Sequence, residues 1–119
     1  SLVAYGPLSK GKPHPRSYGT FARIFSRYVR EKGILGLEEA VKKMTSLPAR
    51  KLGLWNRGII RPGAWGDVTV FDFQKIGDTA TFDNPHQYAK GVSYVFVNGV
   101  LTMESGEHIG AGAGRVLRK

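Results

Sequence analysis

The chain contains no cysteine, which removes any disulfide framework and agrees with a cytoplasmic setting. Its three histidines, His14, His86 and His108, stand far apart, with no His-x-His and no His-Glu-x-x-His. No two carboxylates take a spacing that suits a metal ion or a general base. Nothing resembles a nucleophile elbow. Gly110-Ala111-Gly112-Ala113-Gly114 has no helix pattern after it, so it does not read as a phosphate loop. No apolar run approaches the ~20 residues that a membrane-spanning helix needs. Ser1 onward carries no signal-peptide pattern. No catalytic residue and no metal ligand is therefore assigned within this segment.

What is present is an ordinary globular composition. Hydrophobic residues make up 41% and charged residues 23% of the 119 positions, enough for one domain with a modest core. Glycine is over-represented at 16 residues, against a usual share of roughly 7%, which suits tight turns and short strands. The net charge of +9 is lopsided. Residues 1–61 hold 13 of the 18 bases and only Glu31, Glu38 and Glu39, a net of +10; the remainder holds five bases and six acids, a net of −1. That asymmetry fits a basic binding face, and equally fits part of a larger protein whose balancing acids lie elsewhere.

Residues 1–16 read as loop, punctuated by Gly6-Pro7, Gly11, Pro13 and Pro15. From Ser17 to Lys32 the pattern is helical. Phe21, Ile24, Phe25, Tyr28 and Val29 form an apolar arc, with Arg23, Arg27 and Arg30 opposite as a solvated or interface face. Gly33 is the expected stop. A second helix is expected over Leu37–Thr45, with Glu38→Lys42 and Glu39→Lys43 as i,i+4 pairs. Ser46 is expected to cap a short third helix that Gly53 ends. After Asn56 the grammar changes to strand. Pro62-Gly63 suits a type II turn. Asp67–Asp72 is β-branched and aromatic, and Val92–Val97, Asn98-Gly99 and Val100–Met103 spell a hairpin with a type I′ turn. Residues 74–90 are irregular, and 106–119 form a turn-rich tail.

Arg16 is the leading site candidate. It sits between two prolines and a helix start, and its permanently charged fork suits a carboxylate. From the residues alone its plainer role is a surface or helix-entry arginine paired with a neighbour. His14 and Tyr18 are secondary candidates for substrate contact. Their plainer roles are a loop histidine bonded to backbone and an aromatic packed at the helix start. His86, within Asp83-Asn84-Pro85-His86-Gln87, reads as a turn residue.

The run His14-Pro15-Arg16-Ser17-Tyr18-Gly19-Thr20-Phe21 onward to Tyr28, followed by Leu37 to Arg50, is similar to the C-terminal third of D-aminoacylases. These are N-acyl-D-amino-acid deacylases of the amidohydrolase superfamily. Gly58 to Gly63 and Asp67 to Asp72 resemble the strand that returns from barrel to β-sandwich across that superfamily. Val95 to Val100 and Gly114 to Leu117 match its usual ending. Gly66 departs from the alanine more common before the aspartate, a matter of strand packing.

The resemblance implies an α/β fragment. Residues 1–55 would be the active-site loop and last helices of a TIM-like (β/α)8 barrel, and residues 56–119 the C-terminal part of a small β-sandwich. It implies a zinc-dependent hydrolase acting on N-acyl-D-amino acids. In the family a Ser-Asp-Gly segment, whose aspartate is the general base and acid, directly precedes a loop like the one starting at Ser1. The metal-binding histidines and cysteine also lie upstream. Zinc is thus expected in the full-length parent and not in this segment alone, which is expected to be inactive without the rest of the protein. Arg16 matches the arginine that contacts the substrate α-carboxylate. No nucleic-acid or membrane partner is implied. Two other readings stay open: a hydantoinase- or dihydroorotase-like amidohydrolase with the same ending, and a small basic nucleic-acid-binding module.

Overall fold

Pro13 and Pro15 hold the described residues around them out of helix, and regular structure begins directly after Pro15. The computed structural model describes residues 6, 7 and 9–117. Helix α1 spans Arg16–Arg23 and runs without a break into a π-helical stretch, Ile24–Glu31. The helical run therefore matches the sequence pattern, but its second half is wound more widely. Lys32 N–H reaches back five residues to Arg27 O at 3.1 Å.

The buried face of this run keeps Ile24, Phe25 and Val29 of the expected arc in the core but leaves Phe21 and Tyr28 exposed. Gly19 and Ala22 are buried on α1, and Phe25 and Ser26 on the π-helical part, whereas Phe21 is 67% exposed. The reason is close approach. A Cβ on Gly19 would lie 2.6 Å from Cβ of Asp78, so the small side of α1 presses on segment 76–78 and Phe21 falls on another side. Arg23 Nη1 closes the contact on Asp78 Oδ2 at 3.1 Å, and this hydrogen bond, with the charge of Asp78, raises the pKa of the guanidinium. Arg30 donates to the carbonyls of Phe73 at 2.5 Å and Ile76 at 3.0 Å. Arg30→Met is expected to cost about 1.5 kcal/mol, because two carbonyls lose a charged donor. Denaturant unfolding measures it, and an unchanged midpoint would mean that water serves the carbonyls as well.

Helix α2 spans Leu37–Met44 and α3 spans Ser46–Lys51. Lys42 and Lys43 both pair with Glu39, at 3.6 and 3.5 Å, so Lys42 takes Glu39 in place of the expected Glu38. Ser46 lies inside α3 and does not cap it. Thr45 occupies the cap position with no capping bond, and its hydroxyl turns back to Val41 O at 2.7 Å to close α2. Gly53 ends α3 as expected: Leu54 N–H bonds Ala49 O at 2.8 Å and Gly53 N–H bonds Arg50 O at 3.0 Å.

Among the described residues four antiparallel strands follow in the order β1-β2-β3-β4: Val68–Phe71, Val92–Val97, Val100–Glu104 and Glu107–His108. Asn98 and Gly99, with φ of 51° and 80°, make the expected hairpin turn. Pairing sets Val68 against Phe96 and Val70 against Tyr94. The short β4 extends the sheet into what reads as tail. Segment 79–88 has no regular structure, yet it is closed by its own bonds. Thr79 Oγ1 donates to Tyr88 O at 2.7 Å, and Gln87 Nε2 donates to Thr79 O at 2.9 Å and Asn84 O at 2.8 Å. Pro85 within it is fully buried.

Helices and sheet meet in one cluster built on Ala22, Phe25, Ala40 and Ile76, with Phe71 and Val92 packed against it. The rings of Phe25 and Phe71 lie 4.8 Å apart. The core is thin: of seven buried apolar side chains among the described residues, Pro85 included, Ala22, Ala40, Ala49 and Ala80 are alanines. Alanines bury little area, so they add little of the ~25 cal/mol per Å² that drives folding.

Candidate functional site

Pro15 fixes φ at −52° and leads into α1, with its carbonyl accepting from Tyr18 N–H and Gly19 N–H, both at 3.1 Å. His14 satisfies two further amides of the first turn. Its carbonyl takes Ser17 N–H at 3.0 Å, and its Nδ1 takes Arg16 N–H at 3.0 Å. This histidine fills the role that Ser or Asp has at most helix starts. Its ring stands edge-on to Phe82 at 5.0 Å. The backbone of Arg16 is thus held from one side by a ring that is itself braced.

Two residues further on, the half-buried Tyr18 is tied to His86. Its hydroxyl lies 2.9 Å from His86 Nδ1, and Ser9 Oγ lies 3.1 Å from the same nitrogen. His86 Nε2 lies 2.8 Å from Gly11 O. A carbonyl can only accept, so Nε2 carries a proton; in the neutral ring Nδ1 is then the acceptor for both hydroxyls. His86 is therefore more than a turn residue. It joins segment 79–88 to both ends of the loop that carries Arg16. No spacing signal could have shown this, since 68 residues separate Tyr18 from His86.

The Arg16 side chain is exposed, and no described residue bonds or pairs with its guanidinium. The structure thus brings His14 and Tyr18 to one junction as anchors and leaves the cation between them open. The Arg23, Arg27 and Arg30 stripe behaves oppositely. Arg23 pairs with Asp78, Arg27 with Glu31 at 2.7 Å, and Arg30 with backbone carbonyls. These bases serve the fold rather than an open phosphate-binding face.

A second polar cluster lies where the post-helical linker meets the hairpin. Arg57 bonds the Asp67 carboxylate and donates to Asn98 Oδ1 at 2.7 Å, while Asn98 N–H donates to Asp67 Oδ1 at 2.8 Å. Asn98 Nδ2 holds Ala113 O at 2.6 Å, and Trp65 lies under both Arg57 and Arg115, at 4.9 and 5.5 Å. A cavity of about 350 Å³ opens beside it along Val68, Phe96 and Leu117. Every buried side-chain polar atom among the described residues has a partner, so this network reads as a latch on the tail.

Among the described residues, no group of three or more His, Asp or Glu could hold a metal ion. His14 and His86 are committed to the loop contacts above. The donor set of these residues does not fit a zinc centre.

The amidohydrolase family model matches residues 7–103. The chain belongs to the amidohydrolase family. It is 40% identical over 126 residues to the D-aminoacylase of Alcaligenes xylosoxydans xylosoxydans, an alignment covering 99% of this chain and 26% of that protein. To the N-acyl-D-glutamate deacylase of the same organism it is 53% identical over 87 residues, covering 73% of this chain and 18% of the relative. A dihydroorotase of Lactobacillus gasseri is more distant, at 28% identity over 93 residues, or 73% of this chain and 21% of that protein. A crystal structure of a D-aminoacylase superposes with a TM-score of 0.88 at 45% identity, covering 91% of this chain and 23% of that one. The N-acyl-D-glutamate deacylase of Bordetella bronchiseptica, solved with zinc and a phosphonate inhibitor, gives a TM-score of 0.75 at 48% identity and covers 76% and 19%. This amidohydrolase chain therefore spans about a fifth to a quarter of the length of the relatives it matches. The fold they share with it is α/β with an antiparallel sheet.

Proposed function

We propose that the chain is the C-terminal portion of a zinc-dependent, cytoplasmic hydrolase that cleaves the amide bond of N-acyl-D-amino acids, releasing a carboxylic acid and a D-amino acid. The observation that carries this reading is Arg16. A braced loop presents an exposed guanidinium with no partner among the described residues, in a chain 40–53% identical to D-aminoacylase and N-acyl-D-glutamate deacylase. In this reading Arg16 takes the α-carboxylate in a bidentate grip and so fixes which face of the amide meets the catalytic groups. Those groups, and the metal that would polarise the amide carbonyl, belong to the rest of the polypeptide. Residues 1–55 would close the barrel, and residues 56–119 would complete the sandwich.

The thin core supports that architecture. Trp55 is 69% and Ile60 88% exposed, and large apolar side chains in water mark surfaces that another segment covers. The dihydroorotase-like reading is weaker, given 28% identity against 40–53%. The basic-module reading loses the arginines already engaged in the fold. Assaying the complete polypeptide against N-acetyl-D-amino acids, their L-enantiomers and cyclic ureides decides among them. Hydrolysis confined to the D-acyl substrates is the expected result, and ring-opening of ureides alone would overturn the reading.

A further inference from the structure

His86 lies outside the motif that carries Arg16, yet it touches that loop at three points. It meets Ser9 and Gly11 before the motif and Tyr18 within it, at 3.1, 2.8 and 2.9 Å. The segment that presents it is stiff for an irregular one. Besides the Thr79 and Gln87 bonds, Thr81 N–H bonds Asn84 O at 3.1 Å, and Asn84 N–H bonds Thr81 Oγ1 at 3.0 Å. The same segment carries Phe82, which braces His14, whose Nδ1 in turn holds the Arg16 amide. Both sides of Arg16 are therefore referenced to residues 79–88 as well as to the helix it starts.

Geometry makes an imidazole well suited to this place. One ring supplies a donor and an acceptor on opposite edges, with no rotatable bond between them. The donor edge fixes a carbonyl of the loop. The acceptor edge fixes a tyrosine hydroxyl on the first turn of α1. A flexible amide would have to choose one of the two: Gln reaches the Nε2 position, and Asn the Nδ1 position.

We propose that His86 is a positioning residue for substrate-carboxylate recognition, acting through Tyr18 and the 9–15 loop to set where Arg16 stands. This rests on the assignment of Arg16 to the substrate α-carboxylate. His86 touches neither substrate nor metal in this scheme. Its loss should therefore blunt carboxylate selectivity while leaving the chemical machinery in place.

The test uses the complete deacylase, comparing an N-acetyl-D-amino acid with its α-carboxamide, which the same active site would hydrolyse without a carboxylate to grip. His86→Phe keeps the ring volume and removes both polar edges. It is expected to lower kcat/KM for the carboxylate substrate about 10-fold or more, chiefly through KM, within the ~100-fold that a misplacement of about 1 Å can cost. The carboxamide rate should stay within about twofold, so the selectivity ratio falls. Combined with Arg16→Ala, the His86→Phe change should cost nothing further, because the group it positions is gone. His86→Asn and His86→Gln, each keeping one edge, should recover part of the ratio and serve if the Phe variant fails to fold. Equal losses on both substrates, or full additivity with Arg16→Ala, would reduce His86 to a structural role and overturn the proposal. If Arg16→Ala itself leaves the selectivity ratio intact, the assignment of Arg16 has failed, an outcome distinct from failure of His86.

Discussion

Arg16→Ala in the complete deacylase proposed above is expected to lower kcat/KM for N-acyl-D-amino acids by about 30-fold or more, or ~2 kcal/mol, the loss that follows when one partner of a desolvated charge pair is removed. Two features make the effect diagnostic. The guanidinium has no partner among the described residues, so its removal orphans nothing in the described fold and thermal stability should hold. Arginine also stays charged throughout the accessible pH range, so the loss should be the same at every pH where the enzyme works. Arg16→Lys should fall between wild type and alanine, keeping the charge but losing the planar fork. Steady-state kinetics on the three proteins measures this, and unchanged kinetics for Arg16→Ala would remove the residue from the site.

Gly91→Ala should destabilise the protein by about 3 kcal/mol or more, adding a left-handed backbone penalty to a steric one. Gly91 has a φ of +81°, and a Cβ there would lie 2.5 Å from both N and Cα of Ile76. Neither contact can relax by rotating a side chain, since both are to backbone. Ile76 is only 3% exposed and belongs to the central cluster, so moving it disturbs Phe25 and Ala40 as well. Gly91 O also accepts Asp72 N–H at 2.9 Å, which locks the end of β1 to the start of β2. A shift in the unfolding midpoint reports the cost, and a variant as stable as wild type would show that segment 72–77 moves freely against β2. Because that segment also receives Arg30 and continues into Asp78, against which Gly19 packs, the loss should spread to the seating of α1.

Local structure was largely legible in the sequence because its causes are local. Pro15 followed by an apolar period near 3.6 marked the first helix within one residue. The Asn98-Gly99 dipeptide marked its hairpin, since few other pairs tolerate positive φ at both positions. Gly33 and Gly53 marked the helix ends by the same rule. Misreadings arose where two local options were close in energy. Thr45 and Ser46 could each cap α3, and the Thr45 hydroxyl bonded backwards instead. Glu38 and Glu39 could each meet Lys42, and an exposed pair of that kind is worth too little to choose by pattern.

The motif around Arg16 also marked the family, and the family match over residues 7–103 agrees with that. Composition, charge asymmetry and the lack of clustered ligands argued that these residues hold no complete reaction centre. What only the tertiary structure decided is how Arg16 is held. The bonds from His86 to Ser9, Gly11 and Tyr18 cross 77, 75 and 68 residues, and the His14–Phe82 contact joins the same two stretches of chain. No periodicity records such pairings. They exist because the helical run packs its glycine and alanine face on segment 76–78, and that packing carries residues 79–88 beneath the loop. Side-chain chemistry marked Arg16 as the candidate cation, and chain crossing decided which residues contact its loop.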